Sequence, residues 1–169
     1  MNHSDAQIAA VGQNQTYSST FEMNFLRLTI DALWQDSDAM VEIRVALIGA
    51  GYAAWEEVYL YPDTIPLFAR QLTAFSGGAR EEVVLEAGST EPNAHNWLRL
   101  RAHVIDSVGH CALQFSSIRR GAPVVAHHFD FSLPVEVAAL NDMGKQLGSW
   151  SLSTGATFTF EARCDYVLS

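Results

Sequence analysis

The chain has 169 residues, 49% of them hydrophobic, and its 19 acidic and 10 basic residues give a formal net charge of −9. This length suits one domain with a sizeable core, and the hydrophobic fraction excludes wholesale disorder. The negative charge argues against non-specific binding to nucleic acid or to an anionic membrane, because phosphate groups would repel it. A basic protein is the better match as a partner.

The first 19 residues are polar and predict a flexible tail, followed by a single domain over residues 20–169. The tail lacks a cationic start with an apolar run, so we expect no secretory signal. No apolar run approaches the ~20 residues of a membrane-spanning helix. Cys111 and Cys164 lack the spacing of a metal or redox motif, which predicts two buried thiols in a reducing cytoplasm, with a single disulfide as the alternative.

Alternating apolar residues predict the strands of the first half. The alternation changes phase near Phe25, which indicates a bulge there. A loop is predicted over residues 33–39, and Gly49-Ala50-Gly51 predicts a turn. The aromatic segment 52–61 fits a strand, although a helix would also be tolerated. The strands expected here span residues 21–30, 41–47 and 52–61.

Helical spacing of apolar residues predicts two helices, at about residues 64–76 and 134–147. Thr64 can cap the first helix, and Gly77-Gly78 ends it. The second helix ends at Gly148. Each helix presents one apolar face, so both are expected to pack on the same face of a sheet.

The second half contains a hairpin of residues 98–104 and 111–115. A tight turn at Asp106-Ser107 would place Ala102 opposite Cys111 and His103 opposite His110. Further strands are expected at residues 83–85, at 125–131 after a turn at 119–123, and from Phe158 onward. No internal sequence repeat is evident. The pattern predicts an α+β fold, with a mainly antiparallel sheet of about eight strands and two helices packed on it.

The catalytic signatures are weak. Residues 49–54 match a relaxed dinucleotide fingerprint, in which glycines let the backbone approach a pyrophosphate at a helix N-terminus. No β-α-β unit can be completed before Gly77-Gly78, so we interpret the glycines as a hairpin turn; a nucleotide-binding enzyme would need residues 52–61 to be helical. Cys111 lies among inward-facing apolar residues, where a thiol is inert. We expect no catalytic residue, no cofactor and no enzymatic activity.

The histidines do not assemble a typical metal site. His103 and His110 would supply two outward imidazoles in the predicted hairpin, which are too few. His127 and His128 are adjacent and would point to opposite faces of a strand, so they cannot complete the set. We expect exposed histidines on the sheet and a hydrogen-bonded core position for His127, and we predict no metal site, while a metal shared by His103 and His110 is left open.

Two surfaces are candidates for contact with a partner. The first is Trp55-Glu56-Glu57 on the aromatic strand. The second is the outward face of the hairpin, where Trp and Arg side chains typical of interface hot spots line up on an acidic protein. The alternative is that these arginines and Trp97 cover the sheet or pair with nearby carboxylates. The outward face would present Trp97, Arg99, Arg101, His103, His110 and Gln114.

Hydrophobic and turn patterns over about residues 33–147 carry a family resemblance. They comprise the runs at 41–45, 58–63, 98–100 and 109–113, together with the glycine turn, Phe68 and Leu72. In these the chain resembles the WapI-type immunity proteins and related bacterial domains, which neutralise contact-delivered polymorphic toxins.

The resemblance implies a cytoplasmic bacterial protein that acts by binding rather than by catalysis. Its mechanism would be occlusion: an acidic surface attracts a basic toxin, often a nuclease, and covers its active site. The acidic residues expected to contribute are Glu56, Glu57, Asp63, Glu81 and Glu82.

The alternative function is a small-ligand-binding α+β domain with an apolar pocket between sheet and helices. Abundant aromatic residues motivate it, although a tightly packed core would explain them equally well. The pocket would be lined by Phe68, Phe115, Phe129, Phe131 and Phe158.

Overall fold

The structure is a computed structural model that describes residues 24–37, 40–91, 94–121 and 125–164. Within these residues eight strands and two helices follow one another, and every strand pairing is antiparallel. The predicted α+β class with an antiparallel sheet and two helices is confirmed. The elements are β1 (Phe25–Gln35), β2 (Val41–Gly49), β3 (Tyr52–Leu60), α1 (Thr64–Ala74), β4 (Glu82–Gly88), β5 (Trp97–Val104), β6 (Cys111–Gly121), β7 (Val125–Val135), α2 (Val137–Ser149) and β8 (Thr157–Arg163).

The eight strands are divided between two four-stranded sheets. The first has the order β3-β2-β1-β8, and the second has the order β4-β5-β6-β7. Each half of the described chain is therefore a three-stranded meander, a helix and a fourth strand. The fourth strand of each half joins the edge of the other half's meander. The two halves repeat the same order of elements without an evident sequence repeat. Different sequences can form the same strands as long as their apolar residues alternate in the same way.

Alternation of apolar and polar residues builds the strands as the pattern predicts. In β2 the four inward residues are at most 1% exposed: Val41, Ile43, Val45 and Leu47. The turn into β3 is a two-residue loop, because Gly49 pairs with Tyr52. Ala50 and Gly51 adopt φ angles of 48° and 80°, as tight hairpin turns require. The hairpin interpretation of the glycines is confirmed.

The two helices pack against each other. Helix α1 buries Phe68 and Leu72, and α2 buries Met143 and Leu147. Asn141 of α2 donates hydrogen bonds from Nδ2 to the carbonyl oxygens of Leu72 at 2.9 Å and Phe75 at 2.8 Å. These bonds tie α2 to the C-terminal end of α1, where the Leu72 carbonyl oxygen also accepts the Phe75 backbone N–H at 3.2 Å.

Several boundaries differ from the prediction. Strand β1 continues to Gln35 and shifts register between Ala32 and Trp34, so the first residues of the predicted 33–39 loop are strand. Asp63 rather than Thr64 occupies the N-cap of α1, without a side-chain hydrogen bond. Helix α2 begins at Val137 because Pro134 belongs to β7, an edge strand where proline is tolerated.

Two predictions concern residues that the structure does not describe. The flexible tail at 1–19 and the start of the first predicted strand lie outside the described residues. No helix in the described part of the chain is long and apolar enough to cross a membrane.

Candidate functional site

A buried carboxylate joins the two sheets. The inward face of β3 carries Glu56 between Ala54 and Val58, and the Glu56 side chain is 0% exposed. Its Oε1 atom accepts hydrogen bonds from Nε of Arg119 on β6 at 3.3 Å and from the Glu57 backbone N–H at 3.2 Å. Burial raises the pKa of Glu56 above its ordinary value, and the Arg119 guanidinium opposes that shift. The Oε2 atom has no hydrogen-bond partner among the described residues.

Side chains from β6 and from the segment that joins β4 to β5 contact the free edge of β3. Arg119 donates from Nη2 to the Trp55 carbonyl oxygen, and its Cζ lies 3.7 Å from the centre of the Trp55 ring. Asn96 donates from Nδ2 to the Glu57 carbonyl oxygen at 3.3 Å. Unpaired backbone groups on an edge strand invite pairing with another chain. Arg119 and Asn96 protect this edge.

The sequence analysis placed Glu56 on the partner-binding surface, and that placement is wrong. Period-two alternation puts Glu56 on the inward side of β3 with Ala54 and Val58. The same alternation was visible in the sequence and could have located it. Trp55 and Glu57 do face outward, with 43% of Trp55 and 31% of the Glu57 side chain exposed.

A cleft of about 650 Å³ lies between the β2-β3 hairpin and the segment that joins β4 to β5. Glu42 and Glu57 supply carboxylates to its wall. Tyr59 lies beside Glu42, and the hydrogen bond between their side chains is the main cause of the raised pKa of Tyr59. The lining residues are Met40, Glu42, Glu57, Val58, Tyr59, Gly88, Ser89, Ala94, His95, Asn96 and Arg120.

Arg120 is the arginine in this lining, and its guanidinium is held by backbone groups. Its Nη1 donates to the carbonyl oxygens of Ser89 at 3.2 Å and His95 at 2.7 Å, and its Nη2 donates to that of Thr90 at 2.7 Å. Arg120 thereby fixes the segment that forms one wall. Sequence reasoning missed this cleft because its walls come from segments far apart in the chain, with no local motif.

The predicted strip on the outward face of the second sheet exists, and its arginines are paired. Nη2 of Arg99 and Nη1 of Arg101 lie 3.7 and 3.2 Å from the Glu82 carboxylate. Nε1 of Trp97 donates to Glu86 at 2.8 Å. This is the pairing with nearby carboxylates that the sequence left as the alternative, and the carboxylates belong to Glu82 and Glu86. These residues border a second cleft of about 290 Å³.

The predicted hairpin register is wrong by two residues on one strand. Ala102 lies opposite Leu113, and His103 lies opposite Ala112. The reason is that Ile105 donates its backbone N–H to the His110 carbonyl oxygen at 2.7 Å, which makes the turn longer than Asp106-Ser107. His110 pairs instead with the Asp106 carboxylate.

The described residues contain no group of three or more His, Cys, Asp or Glu side chains that could hold a metal ion. His127 is exposed, so the predicted core position is wrong: this end of β7 extends beyond the core.

The remaining acidic residues do not form one patch with Glu57. Glu81 accepts hydrogen bonds from Ser76 and from the Gly78 backbone N–H, which lower its pKa. Glu82 belongs to the arginine strip, and Asp63 occupies the N-cap position of α1 without a side-chain hydrogen bond. Glu81 therefore holds a local turn.

The phenylalanines proposed to line an apolar pocket are mostly packed. Phe68 and Phe115 are at most 1% exposed, and Phe158 is 5% exposed. The Phe115 and Phe131 rings stack with centres 5.8 Å apart. Phe129 differs, because it is 36% exposed and borders the smaller cleft. Cys111 and Cys164 are buried and are not joined in a disulfide, and burial raises the pKa of the Cys111 thiol.

Comparison with protein-family models, with curated proteins and with solved structures gave no significant match. The fold and the clefts are therefore the basis for a functional proposal.

Proposed function

We propose that this chain is a non-enzymatic binding protein that receives a basic segment of a protein partner in the cleft beside β3. The observation that carries the proposal is the chemistry of that cleft. It combines the carboxylates of Glu42 and Glu57 with the Tyr59 side chain in a space of about 650 Å³, within the size range of ligand sites. Arg44 of the same chain already donates to Glu57 Oε1 at 2.5 Å, so a basic partner would compete with Arg44 for Glu57 and meet Glu42 directly. Its arginine, Arg120, already donates to three carbonyl groups.

Exposed aromatic residues support a basic partner. Trp55 and Tyr59 are 43% and 45% exposed on β3. Trp55 already holds two guanidinium groups of its own chain, with the Cζ atoms of Arg44 and Arg119 at 5.0 and 3.7 Å from the ring centre. Aromatic faces attract cations, and carboxylates pair with them. Within the cleft, a Lys or Arg side chain of a partner would meet the Tyr59 ring beside the Glu42 carboxylate.

The net charge of −9 supports the same partner class. A negative protein accelerates its encounter with a positive one, and the effect weakens as salt is added. The resemblance to WapI-type immunity proteins makes a basic bacterial toxin, met in the cytoplasm, the first partner to test.

Growth rescue tests this proposal. The toxic product of a gene adjacent to that of this chain is expressed with the wild type, with Glu42→Gln/Glu57→Gln, or with the control Asp142→Asn. Asp142 is an exposed α2 residue outside the cleft. We expect the wild type and the control to protect cells and the cleft variant to lose protection. Equal protection by all three, or none by any, contradicts the proposal.

A small-ligand site between sheet and helices is the weaker proposal. It needs space among the phenylalanines, and most of these are buried against one another.

A further inference from the structure

Strand β7 is a long edge strand. Its 11 residues pair with β6 on one side, and no described strand pairs with it on the other. The five consecutive residues 126–130 are all exposed, on both faces of the strand. Alternate residues of such a strand direct backbone N–H and C=O groups into solvent.

The two meanders end in edge strands, β3 and β7, whose outward backbone groups differ in their hydrogen bonds. On β3, side chains of Arg119 and Asn96 occupy the outward carbonyl groups. On β7, no hydrogen bond between described residues involves an outward backbone group. Among the described residues, the outward donors and acceptors of β7 are therefore free, whereas two outward carbonyl groups of β3, those of Trp55 and Glu57, are occupied.

Symmetry restricts how β7 could pair with β7 of a second copy. Opposed residues in an antiparallel pair point to the same face of the sheet, and neighbouring residues point to opposite faces. A two-fold axis perpendicular to the sheet must therefore pass through a residue that faces itself, and not between two residues.

Charge selects one centre among these registers. With Phe129 facing Phe129, His128 lies opposite Asp130 on each side of the axis. Moving the centre to Asp130 would oppose two carboxylates, and moving it to His128 would oppose two imidazoles. The Phe129 centre places the His128 imidazole opposite the Asp130 carboxylate twice, with an aromatic pair between them. That carboxylate also accepts hydrogen bonds within its own sheet from Gln114 at 2.8 Å and Ser116 at 3.2 Å.

We infer that β7 is a homodimerisation edge, on which a second copy of this chain pairs antiparallel about Phe129. The pairing joins the two β4-β5-β6-β7 sheets into one of eight strands. In this register Val125 lies opposite Leu133, so the ladder ends on both sides before Pro134, which has no N–H to donate. The acidic cleft beside β3 does not contribute to this edge, so the inference stands independently of the proposed function.

Register-specific cross-linking tests the pairing. We expect Phe129→Cys to form an intermolecular disulfide, because position 129 faces itself across the axis. His127→Cys is the matched control: position 127 lies two residues from 129 on the same face and is exposed, but it faces Phe131 of the other copy. Equal cross-linking of the two variants, or none with Phe129→Cys, would overturn the register.

Sedimentation over a concentration series tests the dimer itself. We expect the wild type to associate and Phe129→Lys to weaken association by at least about tenfold, because like charges would meet and the aromatic pair would be lost. Leu67→Lys, on an α1 residue that is 48% exposed, should leave association unchanged. A monomeric wild type, or equal weakening by both variants, would contradict the inference; circular dichroism of each variant confirms its folding.

Discussion

Glu56 is the residue whose position most needs a physical explanation. A carboxylate that is 0% exposed loses its hydration, and Arg119 supplies one compensating contact at 3.3 Å. The buried pair orders the neighbouring backbone. Oε1 of Glu56 accepts a hydrogen bond from the Glu57 N–H, and Arg119 donates one to the Trp55 carbonyl oxygen. The pair fixes the edge of β3, on which Trp55 and Glu57 face solvent.

Removing Arg119 should be strongly destabilising. Arg119→Ala leaves the Glu56 carboxylate buried without its cation, which should lower the free energy of unfolding by about 3 kcal/mol. Arg27→Ala is the control, because Arg27 and Glu161 form an exposed pair that should contribute under about 1 kcal/mol. Urea denaturation measures both.

A double variant separates charge burial from packing. Glu56→Gln/Arg119→Met removes both charges and should be clearly more stable than Arg119→Ala. If Arg119→Ala costs no more than Arg27→Ala, the buried pair does not anchor the sheets.

The raised pKa of Glu56 gives stability a specific pH dependence. The folded state binds this proton more tightly than the unfolded state, so the stabilisation from protonated Glu56 is complete below the unfolded pKa. It is lost as pH rises through the higher folded pKa. The free energy of unfolding of the wild type, minus that of Glu56→Gln, should therefore fall as pH rises across this window.

Other groups also make stability depend on pH. The pKa values of Glu81 and Asp106 are lowered in the folded state, so their stabilising contributions are lost as pH falls. These contributions cancel when the free energy of the variant is subtracted from that of the wild type. A difference that rises with pH would show that Arg119 outweighs the burial of Glu56.

At the scale of elements, α1 and α2 meet at a small residue. A Cβ atom built on Gly144 would lie 2.5 Å from the Thr73 backbone nitrogen and 2.7 Å from the Ala69 carbonyl oxygen. These are backbone atoms, which cannot move without displacing α1. Gly144 lets the helices approach closely, and the Asn141 hydrogen bonds fix their relative position.

Two glycines of α2 give a matched pair of substitutions. Gly144→Ala should lower the free energy of unfolding by about 1–3 kcal/mol because of overpacking. Gly148→Ala should raise it by up to about 1 kcal/mol, because its Cβ would meet the Ala69 Cβ at an ordinary 3.7 Å and alanine favours a helix. Thermal unfolding distinguishes them, and stabilisation by Gly144→Ala would contradict the close packing.

The element types followed from the sequence because β2, β3 and both helices show clear apolar periodicity. The β5-β6 register did not, because the Ile105 to His110 hydrogen bond lengthens a turn that the composition alone predicts as tight. Glu56 was misplaced because its charge was given more weight than its position between Ala54 and Val58.

For the whole molecule, the exchange of β4 and β8 between the two sheets makes each half depend on the other. Sequence periodicity predicts strands but not which distant strands pair, such as β1 with β8, so it could not predict the two sheets or the cleft between distant segments. Two of the four edge strands take part in the proposals: β3 borders the acidic cleft, and β7 offers an edge for a second copy.

The central claim is that the cleft beside β3 binds a basic segment, and calorimetric titration with an arginine-rich peptide tests it most directly. We predict one site whose affinity falls with added salt. Glu42→Gln/Glu57→Gln should weaken binding by at least about tenfold, since each lost charge-assisted contact contributes about 1.5–3 kcal/mol. Asp142→Asn should leave it unchanged. Equal weakening by the cleft variant and by Asp142→Asn, or no binding by the wild type, would contradict the account.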